Sequence, residues 1–219
     1  PTRQDKQIRF VSLERTPELW AELAQDSVTL REACGNTVRN VTASPMAGVD
    51  PDEPFDVTPY AHAFFEYLLR NPICQDMGRK FKIAFSSSEK DTAYAFMHDL
   101  GFIPKVRIEN GQEVRGFKVV FGGGLGSQPH IAELASEFIH EDYVIPFAES
   151  IIRVFDRYGE RTKRMKARMK YLIQDIGREE LLARAEKEQL ALKSKVYKID
   201  RSVLSTPVLS PGIVPVVEI

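Results

Sequence analysis

Cysteine is scarce in this chain, which has only two among 219 residues. Cys34 and Cys74 lie forty positions apart, with no CxxC pair and no neighbouring histidine pattern. Disulfide frameworks use several closely spaced cysteines, and structural zinc sites need four ligands. The sequence therefore predicts neither of these features and no metal ligands within the chain. It is typical of a protein kept in a reducing cytoplasm.

Long apolar runs are also missing. No stretch of eighteen apolar residues occurs, and no charged and then apolar leader follows Pro1. A transmembrane helix needs about 20 apolar residues, so we expect no membrane span and no intact signal peptide. Because residue 1 is not Met, we expect a piece of a longer protein. With 43% hydrophobic and 28% charged residues, the chain can bury a sizeable core, which excludes a disordered chain.

Net charge is nearly absent, because 30 Lys and Arg residues oppose 31 Asp and Glu residues. This balance argues against a general nucleic-acid-binding protein. The charges are unevenly distributed, however, since residues 153–201 carry fifteen basic and eight acidic side chains. Positive charge is therefore concentrated in one segment.

The most basic part of that segment predicts a helix with an arginine stripe. The spacing i, i+4, i+7 and i+11 places four arginines in one row: Arg157, Arg161, Arg164 and Arg168. Four guanidinium groups in a row suit a ligand with several carboxylates or phosphates, because each can form a forked, charge-assisted pair. A solvated basic helix face is the alternative, and the pattern alone leaves both open.

Apolar periodicity and turn-forming residues predict alternating strands and helices, then a hairpin, then helices. The predicted strands are 7–13, 37–42, 80–85, and 103–109 with 115–121, the last two joined by an Asn110–Gly111 turn. The predicted helices are 16–25, capped by Thr16, then 58–68, 91–100, 129–140 and a long stretch to about 193, broken near Pro146 and Gly177. This order favours an α+β fold with a mixed β-sheet flanked by helices. The Pro-rich tail 196–219 is predicted to be a linker or the first strand of an absent unit.

Four short polar or glycine-rich segments could carry chemistry. The first, Gly122–Gly126, lies between a predicted strand and helix but matches neither a P-loop nor a good GxGxxG, so we expect a tight turn at a cofactor wall rather than a nucleotide site. Lys80 and Lys82 share one strand face and could face one small anion. The other two are the run 36–41, where polar residues interrupt a strand that should be buried, and the polar run 2–5. Each alone can also be read as ordinary surface strand or turn chemistry.

Together these segments resemble one family. Pro1-Thr2-Arg3-Gln4, Ala33-Cys34-Gly35-Asn36-Thr37-Val38-Arg39-Asn40-Val41, Arg79-Lys80-Phe81-Lys82 and Gly122-Gly123-Gly124-Leu125, in that order and separation, look like the amino-proximal half of the sirohaem-dependent sulfite and nitrite reductases. The resemblance spans about residues 1–175. It implies a nitrite/sulfite reductase-like α+β domain, sirohaem coupled through a cysteine thiolate to a 4Fe–4S cluster, and six-electron reduction of sulfite to sulfide or nitrite to ammonia.

The resemblance also implies roles for individual residues. Four cations would hold the anionic substrate over the sirohaem iron and supply or relay protons: Arg3, Arg39, Lys80 and Lys82. The macrocycle would be lined by Gln4, Asn36, Thr37, Asn40, Gly122, Gly123 and Gly124. Sirohaem carries eight carboxylates, which makes it a candidate partner for the arginine stripe. Nitrite-specialised members tend to have Asn where this chain has Lys82, so the resemblance favours sulfite.

The chain departs from the family in one important respect. The cluster ligands, a Cys-x5-Cys pair and a later Cys-x3-Cys pair, are absent, and two cysteines cannot replace four thiolates. We therefore expect a missing carboxy-terminal half that holds the cluster and receives electrons from ferredoxin or a flavoprotein. The implied domains are the end of a ferredoxin-like half-domain (1–27), a sirohaem-binding domain (28–195) and the tail (196–219). A nitrite reductase, a noncatalytic tetrapyrrole-binding module and a nucleic-acid-binding protein remain the alternatives.

Overall fold

A single mixed β-sheet organises the chain. The computed structural model describes residues 3–4, 7–26 and 28–202. The sheet has the strand order β1 (Thr42–Ala43), β2 (Ile83–Phe85), β3 (Leu100–Glu109), β4 (Gln112–Phe121) and β5 (Glu133–His140). Strands β1, β2 and β3 run parallel, whereas β3, β4 and β5 pair antiparallel. The mixed sheet expected from the sequence is therefore confirmed.

Five α-helices accompany the sheet: α1 (Thr16–Gln25), α2 (Thr58–Leu68), α3 (Val144–Tyr158), α4 (Met169–Ile176) and α5 (Arg178–Ala191). Helices α1 and α2 have the predicted bounds, since each carries a proline in its first turn, where no backbone donor is lost. The predicted Thr16 cap is wrong. Arg15 occupies the cap position, and the Thr16 hydroxyl donates instead to the Ser12 carbonyl at 3.2 Å.

The β3–β4 hairpin forms where the Asn-Gly pair predicts it. Glu109 pairs with Gln112, and both turn residues have positive φ, 52° at Asn110 and 78° at Gly111. This is the backbone that a two-residue turn needs in order to match strand twist. Strand β3 begins earlier than predicted, at Leu100, which pairs with Phe121, and β4 begins earlier than predicted, at Gln112 beside the turn.

A cluster of aromatic rings holds the short parallel strands against the hairpin. Phe85 and Phe102 stack at a centroid distance of 4.6 Å, and Phe64 of α2 meets both edge-on at 5.0 Å. All three are buried, and each such pair contributes about 0.5–1.5 kcal/mol beyond its area. The core therefore fixes β2 firmly, and with it the residues that immediately precede β2.

Three predicted elements are wrong. Residues 7–13 form no strand, because no described strand pairs with them, and their apolar side chains, Phe10 among them, are exposed. The predicted helix 91–100 is instead a short 3₁₀ turn, Ala95–Met97, since the Asp91 carboxylate accepts from the backbone of Ala95 at 2.7 Å and tightens the turn. Where a helix is predicted over 129–140, the chain forms strand β5 instead. It is extended because it pairs with β4, and a distant pairing partner leaves no trace in the local periodicity of the sequence.

The carboxy-terminal helices break at different places from those predicted. Helix α3 continues through Pro146, which lies in its first turn, and ends at Tyr158. A break near Gly177 is confirmed by its φ of 84° between α4 and α5. Of the predicted linker 196–219, residues 203–219 lie outside the described residues, while Tyr197 donates to the Asp142 carbonyl at 2.8 Å. No described helix combines the length and apolar character needed to cross a bilayer.

Candidate functional site

Two adjoining cavities form a cleft beside the start of β2, which we call the cationic cleft. The smaller cavity has a volume of about 270 Å³ and the larger about 560 Å³. Both are lined by Arg3, Lys80 and Lys82, and the smaller also by Arg39. The structure thus brings together four cations from three separate segments of the sequence. The larger cavity adds Arg79, Arg164, Arg168 and Lys170, with no acidic residue among its lining residues.

The strand pleat places both lysines in the cleft. Phe81 is fully buried and forms an isolated parallel bridge with Val38, its backbone N–H donating to Thr37 at 3.0 Å. Because alternate residues of an extended segment point to opposite faces, Lys80 and Lys82 lie on the face away from Phe81. Arg39 lies beside them, since its backbone N–H donates to the Phe81 carbonyl at 2.8 Å.

Arg3 and Gln4 are tethered to the parallel strands. The Arg3 Nη2 donates to the carbonyls of Asn40 at 2.7 Å and Ile83 at 3.1 Å, and the Asn40 amide donates back to the Arg3 carbonyl at 2.5 Å. Gln4 donates to the carbonyl of Ala43 at 2.9 Å. These bonds hold the amino-terminal segment across the edge of β1 and β2.

The loop before β1 is shaped by its own polar residues. Arg39 donates to the carbonyls of Ala33 at 2.6 Å and Gly35 at 3.1 Å. Thr37 is buried and donates to Glu32, while the Asn36 carbonyl accepts from Met77 at 2.9 Å. Within the described residues, the Arg39 Nε is buried and has no hydrogen-bond partner. The contacts of Asn36, Thr37 and Asn40 with a macrocycle stay a prediction.

A buried ion pair under the cleft was not foreseen from the sequence. Asp99 is fully buried, and the Arg168 Nη2 donates to its carboxylate oxygens Oδ2 at 2.8 Å and Oδ1 at 2.9 Å. The same carboxylate accepts from the Lys82 backbone at 2.9 Å, and the Asp99 carbonyl accepts from Gly122. Burial raises the pKa of Asp99, and the guanidinium opposes that shift. The sequence signal for this pair is an acidic residue, Asp99, directly before the apolar start of β3.

Crowding and burial change the acidity of both cleft lysines. Burial lowers the pKa of Lys82, and the nearby charges of Arg3 and Arg168 lower it further. The pKa of Lys80 falls for the same reasons, with Arg39 as its strongest charged neighbour. A lowered pKa makes an ammonium group a better proton donor near neutral pH. The cleft can therefore both attract an anion and supply protons to it.

The predicted single arginine stripe is wrong. Helix α3 ends at Tyr158, and the Glu160 carboxylate then accepts from the backbone of Thr162 at 2.6 Å and organises a turn. Arg157 pairs with Glu188, and Arg161 pairs with Asp156 at 2.5 Å. Only two of the four arginines line the cleft, Arg164 and Arg168. Their binding of sirohaem carboxylates stays a prediction.

The triple glycine packs tightly against the protein itself. A Cβ on Gly122 would lie 2.2 Å from the Ile173 Cδ1, and one on Gly123 would lie 2.3 Å from the Phe96 carbonyl oxygen. A Cβ on Gly124 would meet only the flexible side chains of Arg168, with Nη2 at 3.4 Å, and Lys170, with Cδ at 3.7 Å. The following residues, Leu125 to Ser127, line the larger cavity. The contact of the three glycines with a macrocycle also stays a prediction.

The cysteines do not form a metal centre. Cys34 is exposed, whereas Cys74 is buried, and burial raises the pKa of its thiol to about 12, which opposes a thiolate. Across residues 3–4, 7–26 and 28–202, no three His, Cys, Asp or Glu side chains are grouped so that they could hold a metal ion. These residues do not fit a 4Fe–4S cluster.

The fold and the cleft define an α+β domain with a strongly cationic cleft. The chain belongs to the nitrite and sulphite reductase 4Fe-4S domain family, whose model matches residues 34–193. This establishes the family resemblance seen in the sequence.

Individual relatives agree with the family assignment. The chain is 32% identical over 191 residues to the assimilatory ferredoxin-dependent nitrite reductase of Haloferax mediterranei, covering 86% of this chain and 33% of the relative. It is also 32% identical over 188 residues to sulfite reductase (ferredoxin) 1 of Mycolicibacterium paratuberculosis, with the same two coverages. The solved structure of the NirA protein of Mycobacterium tuberculosis matches with a TM-score of 0.73 and 32% identity, over 85% of this chain and 33% of that one. The chain thus spans about a third of the length of the curated relatives it matches.

Proposed function

We propose that this chain is the sirohaem- and substrate-binding part of a sulfite reductase, which reduces sulfite to sulfide by six electrons. The observation that carries the proposal is the meeting of Arg3, Arg39, Lys80 and Lys82 in one cleft. Their charges would hold an oxyanion, and the lowered pKa values of the two lysines suit the release of protons as oxygen leaves as water. Nitrite is the second candidate substrate, because a nitrite reductase is among the relatives.

The residues of the cleft fit a polycarboxylate macrocycle. The buried Arg39 Nε lacks a partner among the described residues and can donate to an oxyanion. Arg164 lines the larger cavity, and no described acidic side chain forms an ion pair with it. When bound, sirohaem supplies the iron at which the sulfur or nitrogen oxyanion is reduced. The cleft residues orient the anion, balance its charge and deliver protons.

The missing parts of the reaction belong to a longer protein in this proposal. Because the chain covers only 33% of these relatives, the remainder would hold the 4Fe–4S cluster and receive electrons from ferredoxin or a flavoprotein in the cytoplasm. We also propose the domain division 1–27, 28–195 and 196–219. The exposed apolar side chains of the first segment support it, since Trp20 on α1 is 53% exposed and suits contact with a further half-domain.

Sirohaem binding tests the proposal directly. Arg164→Gln in this chain should weaken sirohaem binding about tenfold, because one charge-assisted bond to a carboxylate contributes roughly 1.5 kcal/mol or more. Arg161→Gln is the matched control, since Arg161 is exposed and already paired with Asp156. Absorbance titration of both variants with sirohaem measures the difference. No sirohaem binding by the unaltered chain would refute the proposal, and equal binding by both variants would remove Arg164 from the site.

Substrate preference should depend on Lys82. In the complete enzyme, Lys82→Asn should weaken sulfite turnover more than nitrite turnover, because sulfite is partly a dianion and gains more from a fourth positive charge. We expect the ratio of the two kcat/KM values to shift by about tenfold, or roughly 1.4 kcal/mol. Steady-state kinetics with both substrates measure the ratio. An unchanged or reversed ratio would leave sulfite and nitrite equally supported.

A further inference from the structure

His98 lines the larger cavity, and the proposed reaction gives it no role. It is 8% exposed and directly precedes Asp99. Its Nδ1 lies 2.7 Å from the backbone carbonyl oxygen of Tyr94, which can only accept a hydrogen bond. Nδ1 therefore carries a hydrogen, and Nε2 is the basic nitrogen of the neutral ring. Nε2 is thus the ring atom that can take up a proton.

Cations approach this ring from three separate parts of the chain. Arg3 comes from the amino-terminal segment, Lys82 from the residue before β2 and Arg168 from the residue before α4. Asp99, the acid adjacent in sequence, is paired with Arg168. Burial and the three cations lower the pKa of His98 to about 4, and only the bond to Tyr94 opposes them. The ring is therefore neutral near pH 7 while the cleft holds no anion.

We propose that His98 takes up a proton from solvent when an oxyanion occupies the cationic cleft, so that anion binding and protonation of the imidazole are coupled. The physical cause is electrostatic. An anion cancels the positive potential that keeps the ring neutral, and the new Nε2–H can then point its charge toward the anion. The cleft would thereby gain a fifth proton donor only when it is loaded.

This inference rests on the proposed function, because it takes oxyanions to be the ligands of the cleft. A small inorganic anion and the carboxylates of a macrocycle share that chemistry. Two probes distinguish them: inorganic sulfate, which keeps both charges across the pH range used, and uroporphyrin, a metal-free macrocycle with eight carboxylates. Neither probe requires iron or turnover.

The experiment uses the 219-residue chain labelled with both ¹⁵N-histidine and ¹⁵N-lysine. Nitrogen chemical shifts report the protonation of His98, and His98→Asn identifies its signal. The backbone amides of Lys80 and Lys82 report anion binding independently. His62→Asn is the matched control, because His62 lies on α2 outside the cleft. Buffer-dependent calorimetry gives the number of protons taken up for each anion bound.

We expect sulfate to protonate His98 and to bind at least about threefold more tightly when the pH falls from about 7 to about 5. His98→Asn should lose this pH dependence, and His62→Asn should keep it. Protonation by uroporphyrin alone would support the coupling and identify macrocycle carboxylates as the cause. If the lysine amides move but neither probe protonates His98, the inference is overturned and the proposed function stands. If neither probe moves those amides, both fail. Should His98→Asn not fold, the shift measured on the unaltered chain decides.

Discussion

Asp99→Ala should lower the free energy of unfolding by about 3–5 kcal/mol, because the positive charge of Arg168 would lose its only buried carboxylate partner among the described residues. The carboxylate is fully buried and accepts both the Arg168 fork and the Lys82 backbone N–H. Its loss would also free the segment that carries Lys82. Urea-induced unfolding followed by circular dichroism measures the change.

A second variant separates the ion pair from general packing. Asp99→Ala combined with Arg168→Met removes both charges, so it should recover part of the stability lost by Asp99→Ala alone. If Asp99→Ala is within about 1 kcal/mol of the unaltered chain, the buried pair does not organise the cleft. If the double variant loses as much free energy of unfolding as Asp99→Ala and Arg168→Met lose separately when added together, the two side chains are not coupled.

Gly123→Ala should cost roughly 3 kcal/mol of stability, the upper end of the range for overpacking. The new Cβ would lie 2.3 Å from the Phe96 carbonyl oxygen and 2.7 Å from that of His98, and backbone atoms cannot turn aside as a side chain can. Urea-induced unfolding again provides the measurement. The expected cause is the packing of the protein on itself, without any cofactor.

Gly124→Ala is the matched control for this glycine. Its Cβ would meet only flexible side chains, Arg168 at 3.4 Å and Lys170 at 3.7 Å, so we expect stability within about 0.5 kcal/mol of the unaltered chain. If Gly123→Ala instead unfolds at the same urea concentration as the unaltered chain and loses only sirohaem binding, contact with the macrocycle rather than packing of the protein explains this glycine.

The hydrogen bonds of Asp99 connect residues of the cleft that come from different parts of the chain. Asp99 accepts five hydrogen bonds, which come from Lys82, Arg168 and Gly122. His98 directly precedes Asp99 and lines the larger cavity together with Lys82 and Arg168. A change at Asp99 should therefore alter both the positions of the cations and the acidity of the imidazole, which places this buried carboxylate at the base of the proposed chemistry.

The sequence by itself determined the local elements whose signals are short-range. Helices α1 and α2 have the predicted bounds because a proline in the first turn restricts the backbone within a few residues. The β3–β4 hairpin follows from Asn110–Gly111, since both positions need a positive φ that this pair adopts readily. The family was also recognisable from short motifs in a fixed order, and the match over residues 34–193 confirms it.

The tertiary structure alone decided what depends on distant partners. Strand β5 has a sequence that also suits a helix, and it is extended because β4 presents an open edge. The four arginines do not form one row, because helix α3 ends at Tyr158 and Glu160 organises the turn that follows. Arg157 and Arg161 form ion pairs with Glu188 and Asp156 outside the cleft. The pairing of Asp99 with Arg168 joins residues 69 positions apart, and no local pattern encodes the buried environment in which such a pair is required.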